Sequence, residues 1–297
     1  MSEYLSAERR QHYYAAALSW QEGYLIPETG GQIHYIHGRH GGDHHPDKPV
    51  LVLLHEALGH LDMWKDFPSR LALATGLDVF AYERQGYGRS GVPDDVRPDD
   101  YLQREALQRL GPVLDAAGLK SVILVGHSDG GSIAFMGAAE LPGRVQAIVT
   151  MAAHVRVDPL TRRGVLAARR LYQETDLPER LARYHGEYTD QLFWLWNDTW
   201  LRDSFQGLDL SGWLSRVECP ALIMQGVEDQ YGEPAQVDEI CHGINRRGSG
   251  DGAVQAEALM LEDCRHIPHL EATDACVAVI SGFLTRRISS GRVARPA

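Results

Sequence analysis

Long apolar runs are missing from this 297-residue chain, and no stretch approaches the roughly 18 apolar residues that a membrane-spanning helix needs. The opening Met1-Ser2-Glu3-Tyr4-Leu5-Ser6-Ala7-Glu8-Arg9-Arg10 mixes charges and lacks an apolar core of signal-peptide length. The chain therefore reads as soluble and cytoplasmic, with no membrane partner. Basic charge is also scarce. With 29 Lys+Arg against 40 Asp+Glu, the formal net charge of −11 would repel a phosphate backbone, and no basic cluster offsets it locally, so nucleic acid is not an expected partner. Cysteine is sparse as well. Cys219, Cys241, Cys264 and Cys276 are scattered through the last third with no CxxC spacing, which argues against a zinc site or disulfide framework and fits free thiols in a reducing compartment. Only His37-Gly38-Arg39-His40-Gly41-Gly42-Asp43-His44-His45-Pro46-Asp47 is rich in possible metal ligands. Its glycines and proline mark a flexible connection, whereas a transition-metal site needs ligands in fixed geometry, so neither metal nor cofactor is expected.

What is present suffices for one large core, since 44% of the residues are hydrophobic. Helical spacing over Ser6 to Leu18 is followed by two strand-like runs, Trp20 to Pro27 and Gln32 to His37, around Thr29-Gly30-Gly31, which suggests an antiparallel hairpin. Continuously apolar runs then recur, as strands covered on both faces must be: Pro49 to Leu54, Leu77 to Tyr82, Ser121 to Val125, Val145 to Met151, Ala221 to Gln225 and Ala256 to Leu261. Helical periodicity fills most gaps, over Met63 to Ala74, Tyr101 to Ala117, Ser132 to Leu141 and Thr273 to Ile288. This alternation implies a mainly parallel sheet sandwiched by helices. It breaks once, between about Val155 and Arg216, where only helical stretches occur (Leu160 to Glu174, Leu177 to His185, Thr189 to Trp200). Such a length is too great for an ordinary connection and suggests a helical cap over the carboxyl ends of the strands. The expected division is a core of residues 1–154 and 217–297 with a cap at 155–216.

Gly126-His127-Ser128-Asp129-Gly130 fits the pattern G-x-S-x-G, which alone carries little weight in a chain with 30 glycines. Its setting carries more. The apolar run Val122-Ile123-Leu124-Val125 leads into it and the small-residue helix Ser132 to Ala139 leaves it, the strand, sharp turn and helix of a nucleophile elbow. A serine hydroxyl needs a base to remove its proton, and the base needs an acid to fix its tautomer. Asp229 follows the strand at Ala221 to Gln225, and His266 follows the strand at Ala256 to Leu261, so both candidates stand on the same sheet edge as Ser128. Glu228 and Asp158 are the competing acids. His269 is the competing base.

With these residues in place, the chain resembles, from about residue 20 to the end, the cap-bearing α/β-hydrolases of the esterase, lactonase and carbon–carbon hydrolase branch. Besides the elbow and the Asp229 and His266 loops, His55-Glu56-Ala57-Leu58-Gly59 with Trp64 downstream, and Glu83-Arg84-Gln85-Gly86-Tyr87-Gly88-Arg89-Ser90, carry the resemblance. It implies an eight-stranded, mainly parallel sheet, the triad Ser128, Asp229 and His266, and an oxyanion hole from the N–H groups of Asp129 and Ala57. Glu56 departs from the family's usual glycine, and could steer a polar substrate or pair with a nearby Arg or His. His55, His127 and His154 are expected near the substrate. The aromatics Phe193, Trp194, Trp196, Trp200 and Trp213, with Tyr184 and Tyr188, would chiefly hold the cap down, with Trp196 and Trp200 the candidates to line a pocket. The expected partner is a small-molecule carboxylic ester or lactone, extending to bulky or macrocyclic lactones such as macrolides, and the protein a monomer or homodimer. The alternatives are carbon–carbon hydrolysis, or lyase chemistry of the menaquinone-pathway kind, by the same triad, and a non-catalytic ligand-binding member of the fold.

If Asp229 is the acid, Asp229→Asn lowers turnover by several orders of magnitude while Asp158→Asn and Glu228→Gln leave the rate nearly intact, because only the triad acid sets the tautomer of the base. Steady-state kinetics on the three variants decide it, and damage confined to Asp158→Asn would move the acid to the earlier strand.

Overall fold

The computed structural model describes residues 13–41, 48–246 and 256–288. Eight strands form one sheet: β1 (Leu18–Leu25), β2 (Ile33–His40), β3 (Val50–Leu54), β4 (Val79–Tyr82), β5 (Val122–His127), β6 (Val145–Met151), β7 (Ala221–Gly226) and β8 (Ala256–Leu261), in the order β1-β2-β4-β3-β5-β6-β7-β8. β1 and β2 make the antiparallel hairpin, β2 pairs antiparallel with β4, and every later pair is parallel. The continuous apolar text of β3 follows from its place. Leu51 and Leu53 pack with Phe67, Leu71 and Phe283 on one face, while Val52 and Leu54 pack with Phe135 and Met136 on the other, so the pleat needs an apolar residue at each position.

Several expected bounds shift, each for a local reason. β5 runs past Val125 because Gly126 and His127 still pair with Thr150 and Met151. The periodic run from Tyr101 is not one α-helix: Tyr101–Arg104 and Leu110–Ala116 flank a π-helical turn, Glu105–Arg109. Pro112 stands just beyond that turn, cannot donate to the carbonyl of Gln108 and would clash with it, and a widened turn accommodates both effects. The expected helix over Ser6 to Leu18 lies largely outside the described residues, and Leu18 itself opens β1.

Between β6 and β7 the chain forms the helices Pro159–Glu174, Leu177–His185 and Thr189–Leu201. Asp158 caps the first through a reciprocal capping box with Thr161. The four cysteines are buried and free. Among the described residues no helix is long and apolar enough to cross a membrane, and no group of three metal-ligating side chains converges. Residues 42–47 of the His/Gly segment lie outside the described residues.

The turn after β4 is fixed by a buried carboxylate. Glu83 accepts the Arg89 N–H at 2.7 Å, faces His34 Nδ1 at 3.0 Å, and has His60 Nε2 2.8 Å away, close enough for charge attraction though out of hydrogen-bond alignment. His34 Nε2 meets Glu22 at 2.8 Å on its other side. Burial by itself would lower the pKa of His34, but hydrogen bonds and charge from Glu22 and Glu83 outweigh it and hold the imidazole above its ordinary value. A group whose folded pKa is raised stabilises the fold fully below its unfolded value, about 6.5, and loses that contribution as pH rises through the folded value. The melting temperature should therefore decline as pH rises beyond about 6.5, and less steeply in Glu22→Gln. Equal slopes for the two proteins would remove His34 from the account.

Candidate active site

The turn after β5 puts Ser128 at φ +53° and ψ −116°, a backbone conformation that L-residues avoid. Its neighbours make the turn possible. A Cβ on Gly126 would stand 2.1 Å from the Gly130 carbonyl oxygen, and one on Gly130 would stand 1.9 Å from that of Leu54. Only glycine fits at either point. The helix Asp129–Glu140 begins at once, so the serine hydroxyl projects from a strand-to-helix corner and not from a flexible loop.

His266 Nε2 lies 3.2 Å from Ser128 Oγ, and its Nδ1 lies 2.9 and 3.0 Å from the two carboxylate oxygens of Asp229. All three residues are buried. Asp229 Oδ1 also accepts the N–H of Tyr231 at 2.8 Å, which fixes the carboxylate plane. Burial would raise the Asp229 pKa, but the charge and hydrogen bond of His266, with the Tyr231 N–H, hold it below the usual carboxylate value. For His266 burial dominates: it lowers the imidazole pKa despite Asp229, aided by His127 and His154. A neutral His266 with its proton on Nδ1 presents an Nε2 lone pair to the serine, the state a general base requires.

The N–H groups of Ala57 and Asp129 have no hydrogen-bond partner among the described residues, that of Asp129 because it opens a helix. Both residues are held from behind. Arg84 Nη2 donates to the carbonyl of Glu56 at 2.8 Å and lies 3.5 Å from Asp129 Oδ2. Tyr101 Oη donates to the same Oδ2 at 2.8 Å and itself accepts from Trp200 Nε1 at 2.9 Å. Neither Arg84 nor Tyr101 was anticipated for this role. Arg84 sits in a motif whose glycines draw attention first, and Tyr101 is far away in sequence at the start of the broken helix.

Ser128, Ala57, Glu56, His127, His154, Trp196, Trp200 and His266 all line one cavity of about 190 Å³, with Leu58, Thr161, Val165, Tyr231 and Ile267 completing its wall. His55 is a correction. It is wholly buried and off the cavity, because Nδ1 donates to the Glu56 carbonyl at 2.7 Å and Nε2 accepts the Arg84 N–H at 3.0 Å. Burial, helped by Arg84, lowers its pKa to about 3, so it is a neutral strut. His154 lines the cavity while its Nε2 donates to the Tyr231 carbonyl at 2.8 Å. Among the competing residues, Asp158 accepts from Thr161 N, Glu233 N and Gln236 Nε2, Glu228 is exposed, and His269 is packed 4.5 Å from the Trp64 ring. None of the three contacts Ser128 or His266 by hydrogen bond among the described residues.

Comparison with known proteins identifies the fold. The family model described as alpha/beta hydrolase fold matches residues 49–175. The human protein named serine hydrolase BPHL is 30% identical over 211 residues, 69% of this chain and 69% of its own length. The enol-lactonase of Burkholderia xenovorans LB400 superposes with a TM-score of 0.64 at 21% identity, covering 89% of this chain and all of its own. The 2-hydroxy-6-oxo-6-phenylhexa-2,4-dienoate hydrolase of Rhodococcus sp. strain RHA1 gives 0.69 at 18% identity, over 90% of this chain and 99% of its own. At those identities the two solved structures speak for the fold alone.

Because the lowered pKa of His266 keeps it neutral further into acid than a free imidazole, kcat/KM for any substrate that uses it as base should fall on acidification with a midpoint below about 6.5. A pH profile of kcat/KM measures it. A midpoint well above 6.5 would mean that another group controls the step.

Proposed function

We propose that this chain, which belongs to the α/β-hydrolase fold family, is a serine hydrolase that cleaves a small carboxylic ester or lactone through an acyl-enzyme on Ser128. The observation that carries the reading is His266 bridging Ser128 Oγ and the Asp229 carboxylate on the wall of a cavity. Ser128 Oγ attacks the carbonyl carbon as His266 Nε2 takes its proton, and Asp229 stabilises the imidazolium. The developing oxyanion is received by the N–H groups of Ala57 and Asp129, a reading supported by their having no hydrogen-bond partner among the described residues. The carbonyl re-forms as the C–O bond to the leaving alkoxide breaks, and His266 returns the proton to it. Water then repeats the sequence and frees Ser128.

Residues 155–216 act as the cap in this reading, since Thr161, Val165, Trp196 and Trp200 cover the site from above the sheet edge. The cavity also limits the acyl group. A void of about 150 Å³ accommodates one benzene ring, so about 190 Å³ has room for a single ring or a short chain, and a macrocyclic lactone does not fit while the cap is closed. Carbon–carbon hydrolysis would use the same three residues, and a product screen on esters, lactones and diketones separates it from ester cleavage. A fluorophosphonate should label Ser128, and Ser128→Ala should lose the label and on the order of 10⁴-fold or more in turnover of a short aryl acetate, with its melting temperature nearly unchanged. Esters of two-ring acids should be poorer substrates than the acetate. Wild-type turnover in Ser128→Ala would sink the assignment.

A further inference from the structure

Arg84 and Tyr101, which hold Asp129 from behind, also line a second and larger cavity of about 330 Å³ that shares no lining residue with the first. Its wall carries four arginines, Arg84, Arg97, Arg104 and Arg109, in a chain whose formal charge is −11. Two of them are already neutralised. Arg109 pairs with Glu105 at 2.9 Å and Asp94 at 3.6 Å, and Arg104 with Asp100 at 2.8 Å. The other two are buried, Arg84 being 2% and Arg97 8% exposed. Arg84 has only the distant Asp129 oxygen, already engaged by Tyr101, and its Nε has no acceptor among the described residues. Arg97 has no carboxylate partner among the described residues: it donates to Tyr87 Oη, lies over the Tyr101 ring at 4.9 Å, and leaves Nη1 without an acceptor.

A guanidinium stays charged at any pH the protein meets, so burial cannot neutralise it, and an unpaired buried charge is strongly unfavourable. What would relieve these two is an anion with paired oxygens, the geometry that a guanidinium fork matches in carboxylates and phosphates. The volume suits a small molecule. We propose that this cavity binds a small oxyanion, a carboxylate or a phosphate, between Arg84 and Arg97. Since Arg84 also holds the Glu56 carbonyl, the bound anion would lie one residue behind both N–H donors of the oxyanion hole.

Calorimetric titration and thermal melts of the full chain with malonate and with inorganic phosphate test this, using sodium chloride at equal ionic strength as the control. Saturable binding and a raised melting temperature are expected with at least one anion, and the better one identifies the source as carboxylate or phosphate. Arg97→Gln should weaken that binding about tenfold or more, the loss of one charged hydrogen bond. Leu195→Glu, at a half-buried position on the cavity wall, should supply a carboxylate from within and abolish the binding with the fold intact, which keeps the test decisive if Arg97→Gln does not fold. No binding beyond the chloride control, or binding that survives both substitutions, would overturn the proposal.

Discussion

The contact on which the rest of the structure depends is the close approach of the elbow backbone to itself. Gly126 and Gly130 touch, Gly130 touches the carbonyl of Leu54, and Ser128 between them is forced to a positive φ. A residue held there costs on the order of 1 to 3 kcal/mol unless its surroundings over-determine it. Here they do. The Ser128 N–H donates to the Met151 carbonyl at 2.8 Å, and its own carbonyl accepts from Gly131 and Ser132, so the strain is locked between β6 and the following helix. The strand that leads in and the helix that leads out are fully buried along nearly their whole length, which gives the turn no freedom to relax. From this corner the remaining geometry follows, because parallel strands end on one edge and bring Asp229 and His266 to the same place as Ser128.

That logic is why the fold and the candidate site were legible. Buried parallel strands need unbroken apolar text, and the catalytic candidates stand at strand ends, where short-range order fixes position. Glu228 and Asp229 show how far it reaches: sequence offered both, and burial separates them, since only Asp229 turns inward to meet the histidine. What was not legible is long-range and polar. The chain Trp200, Tyr101, Asp129, Arg84 is built from contacts between residues up to 99 positions apart, and no periodicity announces such a pairing. His55 shows the converse error. A histidine at a strand end beside the nucleophile invites a functional reading, yet two backbone contacts claim both its nitrogens.

The same polar chain gives one aromatic of the helices between β6 and β7 a second task. Trp200 is buried against Phe205 and His154, as a residue anchoring a lid would be, but its indole N–H also donates to the tyrosine that holds the Asp129 carboxylate. The Thr189–Leu201 helix is thereby tied, through Tyr101, to Asp129, the residue that follows Ser128. Trp196 has no such tie. It packs edge-on to Phe193 and Tyr231 and meets the cavity only as surface.

Glu56 remains the departure from the family pattern, and its surroundings say what it does. His127 Nε2 lies 2.7 Å from the carbonyl of His266, which can only accept, so that nitrogen carries a proton. Nδ1 of the same ring faces the Glu56 carboxylate at 3.4 Å. Burial would push the Glu56 pKa up, but the hydrogen bond and charge of His127 outweigh it and hold the carboxylate well below its ordinary value. The His127 ring stands 5.2 Å from that of His266 and is among the causes that lower the His266 pKa. Glycine at position 56 would leave Nδ1 of that ring without the carboxylate it faces. The Glu56 carboxylate therefore stands one contact behind the His266 backbone, through the ring whose Nε2 donates to the His266 carbonyl.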